Sequence, residues 1–223
     1  MQQLLLDVKL TKQDKFAAED FLPLSSSFQA HQVVLSSVAN SLSGCLIIGP
    51  TGVGKTHLLN VAKQYLSVNV SDYELLMLDD ITQLDYVDEK IKYLLIDNIK
   101  QVTKEHQELL FHWFNHLKSA NGKLILVAEK SLDELVELKD LKSRLLTLQQ
   151  AIINYPSEKD LEIFILKQAF DRQIEIADDV LNYMLLRIER NFNKAEKLID
   201  KIDEESLREK RKITIPFIKE YLN

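Results

Sequence analysis

Glycine is scarce. The 223 residues contain five, and three of the five fall between positions 49 and 54. A chain that avoids flexible backbone elsewhere and concentrates it in one place marks a site where the backbone itself must come close to something. Cysteine is nearly absent: Cys45 stands alone, which excludes an internal disulfide and reads as a buried thiol in a strand. No stretch approaches the roughly 18 apolar residues of a membrane span. The N-terminus has no basic lead and Asp7 interrupts its apolar run, so no secretory leader is expected and the setting reads as cytoplasmic. Positive charge is short as well. A net charge of −6 argues against an extended DNA-binding face, which needs clustered Lys and Arg. The one basic cluster, Arg208 to Lys212, contains Glu209 and reads as a solvated helix end.

What is present begins with those glycines. Residues 49–56 read Gly49-Pro50-Thr51-Gly52-Val53-Gly54-Lys55-Thr56, a complete G-x-x-x-x-G-K-[ST] pattern directly after the apolar run Cys45-Leu46-Ile47-Ile48. Such a loop wraps its N–H groups around phosphate oxygens, where side chains would block the approach. Lys55 would reach the outer phosphates, the Thr56 hydroxyl would ligate Mg²⁺, and His57 follows in the same helix. The positive end of that helix points at the anion.

Apolar runs at 46–48, 75–78, 93–97, 124–128 and 151–155 predict five strands. Helices are predicted at 29–41, 55–66, 105–118 and 141–148, with a short one after Ser131. Strands that are apolar throughout and alternate with helices indicate a parallel sheet covered on both faces. The character changes at Pro156. Ser157 and Asp160 form a capping-box-like start, and three helices are predicted at 157–172, 177–190 and 193–208. A last short helix is predicted to open at Thr214, with Pro216 near its first turn. The organisation read from the sequence is a lead segment 1–15, an α/β nucleotide-binding base 16–155, and a small all-helical lid 156–223.

A phosphate loop needs a metal partner. Asp97, ending the run Leu94-Leu95-Ile96, is placed to hold Mg²⁺ at the C-terminal edge of the sheet; the plain alternative is a carboxylate in a strand-ending turn. Hydrolysis needs a further group to deprotonate the attacking water. Asn98 stands beside Asp97, and an amide positions water but takes no proton. Glu129, ending the next strand, could substitute or could be a surface carboxylate. The residues alone describe a chain built to bind nucleotide and poorly equipped to turn it over.

Gly54-Lys55-Thr56-His57-Leu58-Leu59, Leu94-Leu95-Ile96-Asp97 and Phe111-His112-Trp113-Phe114-Asn115 resemble the DnaA-related AAA+ family. The tail Arg211 to Glu220 is similar to the Hda branch of that family, the regulatory inactivators of DnaA, as is Asn98. The resemblance implies an adenine-nucleotide-binding regulator, holding ADP or ATP with Mg²⁺, that works with the DNA polymerase sliding clamp. Its implied action is to stimulate hydrolysis of DnaA-bound ATP and so restrain replication initiation. Implied partners are DnaA and the clamp, with room for homo-oligomers. On this resemblance Gln3, Leu4, Leu6 and Val8 match a clamp-docking peptide, whereas on residues alone an apolar segment packing on its own domain is as good a reading. Arg144 matches the arginine finger, offered in trans to a neighbour's γ-phosphate. Without the family, a surface Arg pairing with Asp140 would be preferred. The family's lid arginine falls on Asn193, with Lys194 or Arg190 as imperfect substitutes, and its polar sensor at the end of the fourth strand falls on Val127.

Two signals are set aside. His112 and His116 have a zinc-pair spacing but no Glu between them. The acidic residues Asp79, Asp80, Asp85, Asp88 and Glu89 read as a solvated loop. Two other classes stay open: an autonomous P-loop ATPase of the initiator or helicase-loader type, and a small-molecule kinase. The late start of the phosphate loop and the lack of clustered lid arginines weigh against the kinase.

Overall fold

The computed structural model describes residues 18–40, 43–69 and 74–222. The clamp-type peptide at positions 3–8 lies outside them. Five strands, β1 (Gly44–Ile48), β2 (Leu75–Leu78), β3 (Tyr93–Ile99), β4 (Lys123–Ala128) and β5 (Gln149–Ile152), form one parallel sheet in the order β2-β3-β4-β1-β5. Helices α1 (Phe28–Ala39), α2 (Lys55–Asn69), α3 (Lys104–Ser119), α4 (Leu132–Leu135) and α5 (Lys139–Leu145) cover it.

Alternation of side chains along each strand builds two cores from one sheet. Leu46, Leu94, Ile96, Leu124 and Leu126 face one side and pack with Trp113 and Leu117 of α3 and Leu141 and Leu145 of α5. Cys45, Ile47, Leu95, Ile125 and Val127 face the other and meet Val34 of α1 and Leu58, Leu59 and Ala62 of α2. Trp113 is fully buried and meets the His116 ring edge-on, with centroids 5.9 Å apart. His116, the second of the two histidines with zinc-pair spacing, is hydrogen-bonded through Nε2 to the Ile91 carbonyl at 3.0 Å.

Helices α6 (Glu158–Asp171), α7 (Asp178–Leu185), α8 (Phe192–Glu209) and α9 (Ile215–Lys219) follow, and they share a core of their own around Ile165, Met184, Ile199, Ile202 and Phe217. The capping box of α6 is present: Asp160 N–H donates to Ser157 Oγ at 3.1 Å, and Ser157 N–H to Asp160 Oδ2 at 3.0 Å. Asp160 also accepts from Ser25 N at 3.0 Å and from Ser25 Oγ at 2.8 Å, which ties the entrance of α1 to the entrance of α6.

Several boundaries differ from the sequence reading. β5 starts and ends earlier than 151–155, because Gln149 pairs with Cys45 and Ile152 with Ile48, where β1 ends. Polar residues are tolerated there because β5 is a sheet edge. α5 begins at Lys139 rather than Leu141. α7 stops at Leu185 rather than running to 190. Residues 186–190 instead bring Asn191 round to cap α8, where its side chain accepts from Lys194 N–H.

Candidate functional site

The C-terminal ends of β1, β3 and β4 open on a cleft of about 770 Å³, lined by Thr51, Gly52, Gly54, Lys55, Thr56, His57, Asp97, Asn98, Glu129 and Asn193 among others. Topology puts it there: β4 lies between β1 and β3, so the phosphate loop after β1 and the acid at the end of β3 face each other across one strand.

The loop is shaped by its glycines. Gly52 (φ 79°) and Gly54 (φ 96°) adopt the left-handed region that side chains disfavour. A Cβ on Gly54 would meet nothing within 4 Å, so the loop is open on that side. Val53 turns the other way and is 1 % exposed in the core, so it contributes backbone only. Gly49 admits no side chain either, because a Cβ would lie 2.5 Å from the Ile153 carbonyl oxygen.

Lys55 Nζ donates to the Gly49 and Pro50 carbonyls at 2.7 and 2.6 Å. Burial pulls its pKa below the ordinary lysine value, against the opposing pull of the Glu129 and Asp97 carboxylates. Thr56 Oγ1 donates to Asp97 Oδ2 at 2.6 Å, and Asn98 N–H to Asp97 Oδ1 at 2.8 Å. Asp97 is 9 % exposed, and the β3–β4 register shifts between Ile96 and Ile99. That irregularity aims Asp97 inward and throws Asn98 into a left-handed conformation (φ 56°) at the cleft.

Most of the expected site residues converge here. His57 lines the cleft and meets the Phe21 ring edge-on at 5.2 Å. Asn193 reaches the cleft from the first turn of α8, whereas Lys194 forms an exposed ion pair with Glu189 at 3.8 Å. Arg144 is not among the lining residues; its guanidinium sits 4.7 Å above the ring of Phe111 in α3. Val127 points into the core with no exposure. The polar group at the exit of β4 is Glu129, two residues on, whose carboxylate accepts a short hydrogen bond from Thr51 Oγ1. It is the carboxylate that the sequence already offers as a possible substitute for the missing base. Asn191 and Phe192 were missed altogether. Asn191 Nδ2 donates to the Thr51 carbonyl at 2.9 Å and Phe192 N–H to the Gly52 carbonyl at 2.9 Å, and only the residue type of an N-cap signalled anything there.

The arrangement offers an anion cradle, one ammonium, one hydroxyl–carboxylate pair suited to a hard cation, and a second carboxylate at the rim. Among the described residues no group of three or more His, Cys, Asp or Glu side chains forms a metal site of its own, and no helix is long and apolar enough to cross a membrane.

Comparison with known proteins gives two family models that together cover residues 24–222. Residues 24–157 match the model described as Sigma-54 interaction domain, and residues 158–222 the model described as Hda, lid domain. An uncharacterized protein of Haemophilus influenzae is 28% identical over 192 residues, 79% of this chain and 80% of that protein. The chromosomal replication initiator protein DnaA of Caldanaerobacter subterraneus is 26% identical over 207 residues. That alignment takes in 83% of this chain and 47% of the initiator, so the chain spans about half the length of the DnaA relatives it matches. Domain III of Thermotoga maritima DnaA superposes with a TM-score of 0.80 at 20% identity, over 92% of this chain and 95% of that one. AMPPCP-bound DnaA from Aquifex aeolicus gives 0.75 at 22%, over 89% and 69%. At these identities the structural likeness establishes the fold.

Proposed function

Because the chain belongs to the Sigma-54 interaction domain family over residues 24–157 and is a DnaA-related AAA+ protein close to Hda, we propose that it is a nucleotide-binding regulator of the initiator. It binds an adenine nucleotide, preferably ADP, with Mg²⁺. Held on the sliding clamp, it promotes hydrolysis of the ATP that DnaA carries, in the cytoplasm.

The observation that carries this reading is the pairing of a complete phosphate loop with an amide, Asn98, beside the metal-type carboxylate Asp97. The residues fit the ligand. Loop amides from Gly52 to Thr56 would hold the phosphates over the open face of Gly54, and Lys55 would exchange its two loop carbonyls for phosphate oxygens. Thr56 and Asp97 would hold Mg²⁺ or its water, and the cation would supply charge neutralisation of the phosphates. Nucleotide-bound relatives such as the AMPPCP-bound initiator support the adenine assignment.

Arg144 is the proposed finger toward DnaA's ATP. Its support is a partly exposed guanidinium held over Phe111, away from this chain's own cleft. Gln3, Leu4, Leu6 and Val8 are the proposed clamp contacts, supported by their match to the docking peptide. The test is a reconstituted assay of DnaA-bound ATP with clamp present. Arg144→Ala should bind MgADP and clamp normally yet lose stimulation on the order of 10³-fold. Gln3→Ala with Leu6→Ala should lose the clamp. Wild-type stimulation by Arg144→Ala, or unchanged clamp retention by the N-terminal variant, would remove that part of the proposal.

Glu129 supports a second reading, an autonomous P-loop ATPase, because its carboxylate stands at the cleft where Asn98 has none. Sustained ATP turnover by the purified chain, abolished by Asp97→Ala, would favour it.

A further inference from the structure

We infer that Asn191 is the positioning residue through which the helical lid holds the phosphate loop in its binding shape, so that the loop and the head of α8 move as one unit. The inference builds on the nucleotide reading above.

A loop that turns its N–H groups toward an anion turns its carbonyls away, and each needs a donor. The donors here come from two sources. Lys55 Nζ serves Gly49 and Pro50 at 2.7 and 2.6 Å. Asn191 Nδ2 serves Thr51 at 2.9 Å, and Phe192 N–H serves Gly52 at 2.9 Å. The first pair is lent by an ammonium that turns to phosphate when ligand enters. The second pair, from the lid, has no reason to let go, so it is what keeps the loop in register during that exchange.

Both ends of the Asn191 carboxamide are committed. Oδ1 accepts from Lys194 N–H at 3.2 Å and caps α8, while Nδ2 holds the loop. Swapping the two atoms would set donor against donor and acceptor against acceptor, so the network fixes the orientation. Contact is close enough that a Cβ on Gly52 would fall 2.1 Å from Asn191 Oδ1. Gly52 therefore admits the lid as well as the left-handed turn. Two residues further on, Asn193 lines the cleft from the same helical turn, so any shift of this corner reaches the ligand twice.

Capping and loop-holding can be separated. Asn191→Ser keeps a neutral capping oxygen but cannot span to the Thr51 carbonyl, whereas Asn191→Ala loses both roles. Three quantities are measured on the full chain: thermal midpoint without nucleotide, hydrogen exchange of the Phe192 amide without nucleotide, and MgADP affinity by calorimetry. Asn191→Ser should lower the midpoint less than Asn191→Ala does, exchange the Phe192 amide faster, and bind MgADP about three- to tenfold more weakly, the worth of one such hydrogen bond. Wild-type exchange and affinity in Asn191→Ser, with loss confined to Asn191→Ala, would reduce Asn191 to a helix cap and overturn the inference. Asn191→Asp, which also caps but lacks the donor, repeats the exchange measurement should the serine variant misfold. If the wild-type chain itself ignores MgADP, the nucleotide reading fails, while faster Phe192 exchange in Asn191→Ser would still uphold the latch.

Discussion

Asp160 offers the sharpest test of how the two layers are joined. It is 2 % exposed, and its carboxylate accepts from Ser25 N–H, Ser25 Oγ and Ser157 N–H. Burial alone would raise its pKa, but the hydrogen bonds from Ser157 and Ser25 outweigh that and hold it below the ordinary aspartate value. Replacing it with alanine leaves two backbone N–H groups without their acceptor. At about 1–3 kcal/mol for each group so stranded, and with neighbours that do not add fully, the cost comes to about 3 kcal/mol. For a chain of this size that is a fall of about 6–12 °C in thermal midpoint. The sign of the pH effect follows from the lowered native pKa. The unfolded chain binds its proton first, so the contribution is complete above the unfolded value near about 4 and drains away as pH falls through the native value. Wild type should therefore lose stability steeply below about pH 4, and Asp160→Asn, which cannot titrate there, should have a flatter acid limb. Calorimetric melts between pH 3 and pH 7 read both effects. An Asp160→Ala midpoint within a degree of wild type, or parallel acid limbs for wild type and Asp160→Asn, would refute the reasoning.

Two further outcomes are expected. Gly52→Ala should weaken MgADP binding and accelerate Phe192 amide exchange, because it strains a backbone at φ 79° and collides with Asn191; Gly54→Ala, at φ 96° with open space around its Cβ, should weaken binding without changing that exchange. The Cys45 thiol is pushed up to about 12 by burial, against a hydrogen bond with Ser37, so at pH 8 the folded protein should resist a thiol reagent and react only in denaturant; rapid labelling of native protein would show the strand to be open.

The phosphate loop was legible because its chemistry is local: eight consecutive residues carry the turn, the charge and the hydroxyl. The sheet was legible because β1, β3 and β4 are apolar on both faces, and that pattern needs no knowledge of neighbours. β5 was misplaced because it is an edge, where Gln149 and Gln150 can pair without being apolar. Where the fourth strand stops was less legible, because the apolar run does not say which residue clears the sheet; the pairing of Ile48 with Ala128 does, and it leaves Glu129 as the first side chain beyond. Asn191 and Ser25 were invisible for a stronger reason. Their partners, Thr51 and Asp160, lie 140 and 135 residues away, and nothing in a capping asparagine or a loop serine announces a second bond across such a span.

Trp113 is the chain's one tryptophan, and it is sealed on the α3 side of the sheet with no exposure. Indole emission is accordingly a one-sided gauge. It watches the α/β layer and is blind to α6–α9, where the ring chromophores include Tyr183 of α7 and, just past α9, Tyr221. An emission melt lagging a far-ultraviolet dichroism melt would thus record the helical third of the molecule coming apart while the sheet still stands.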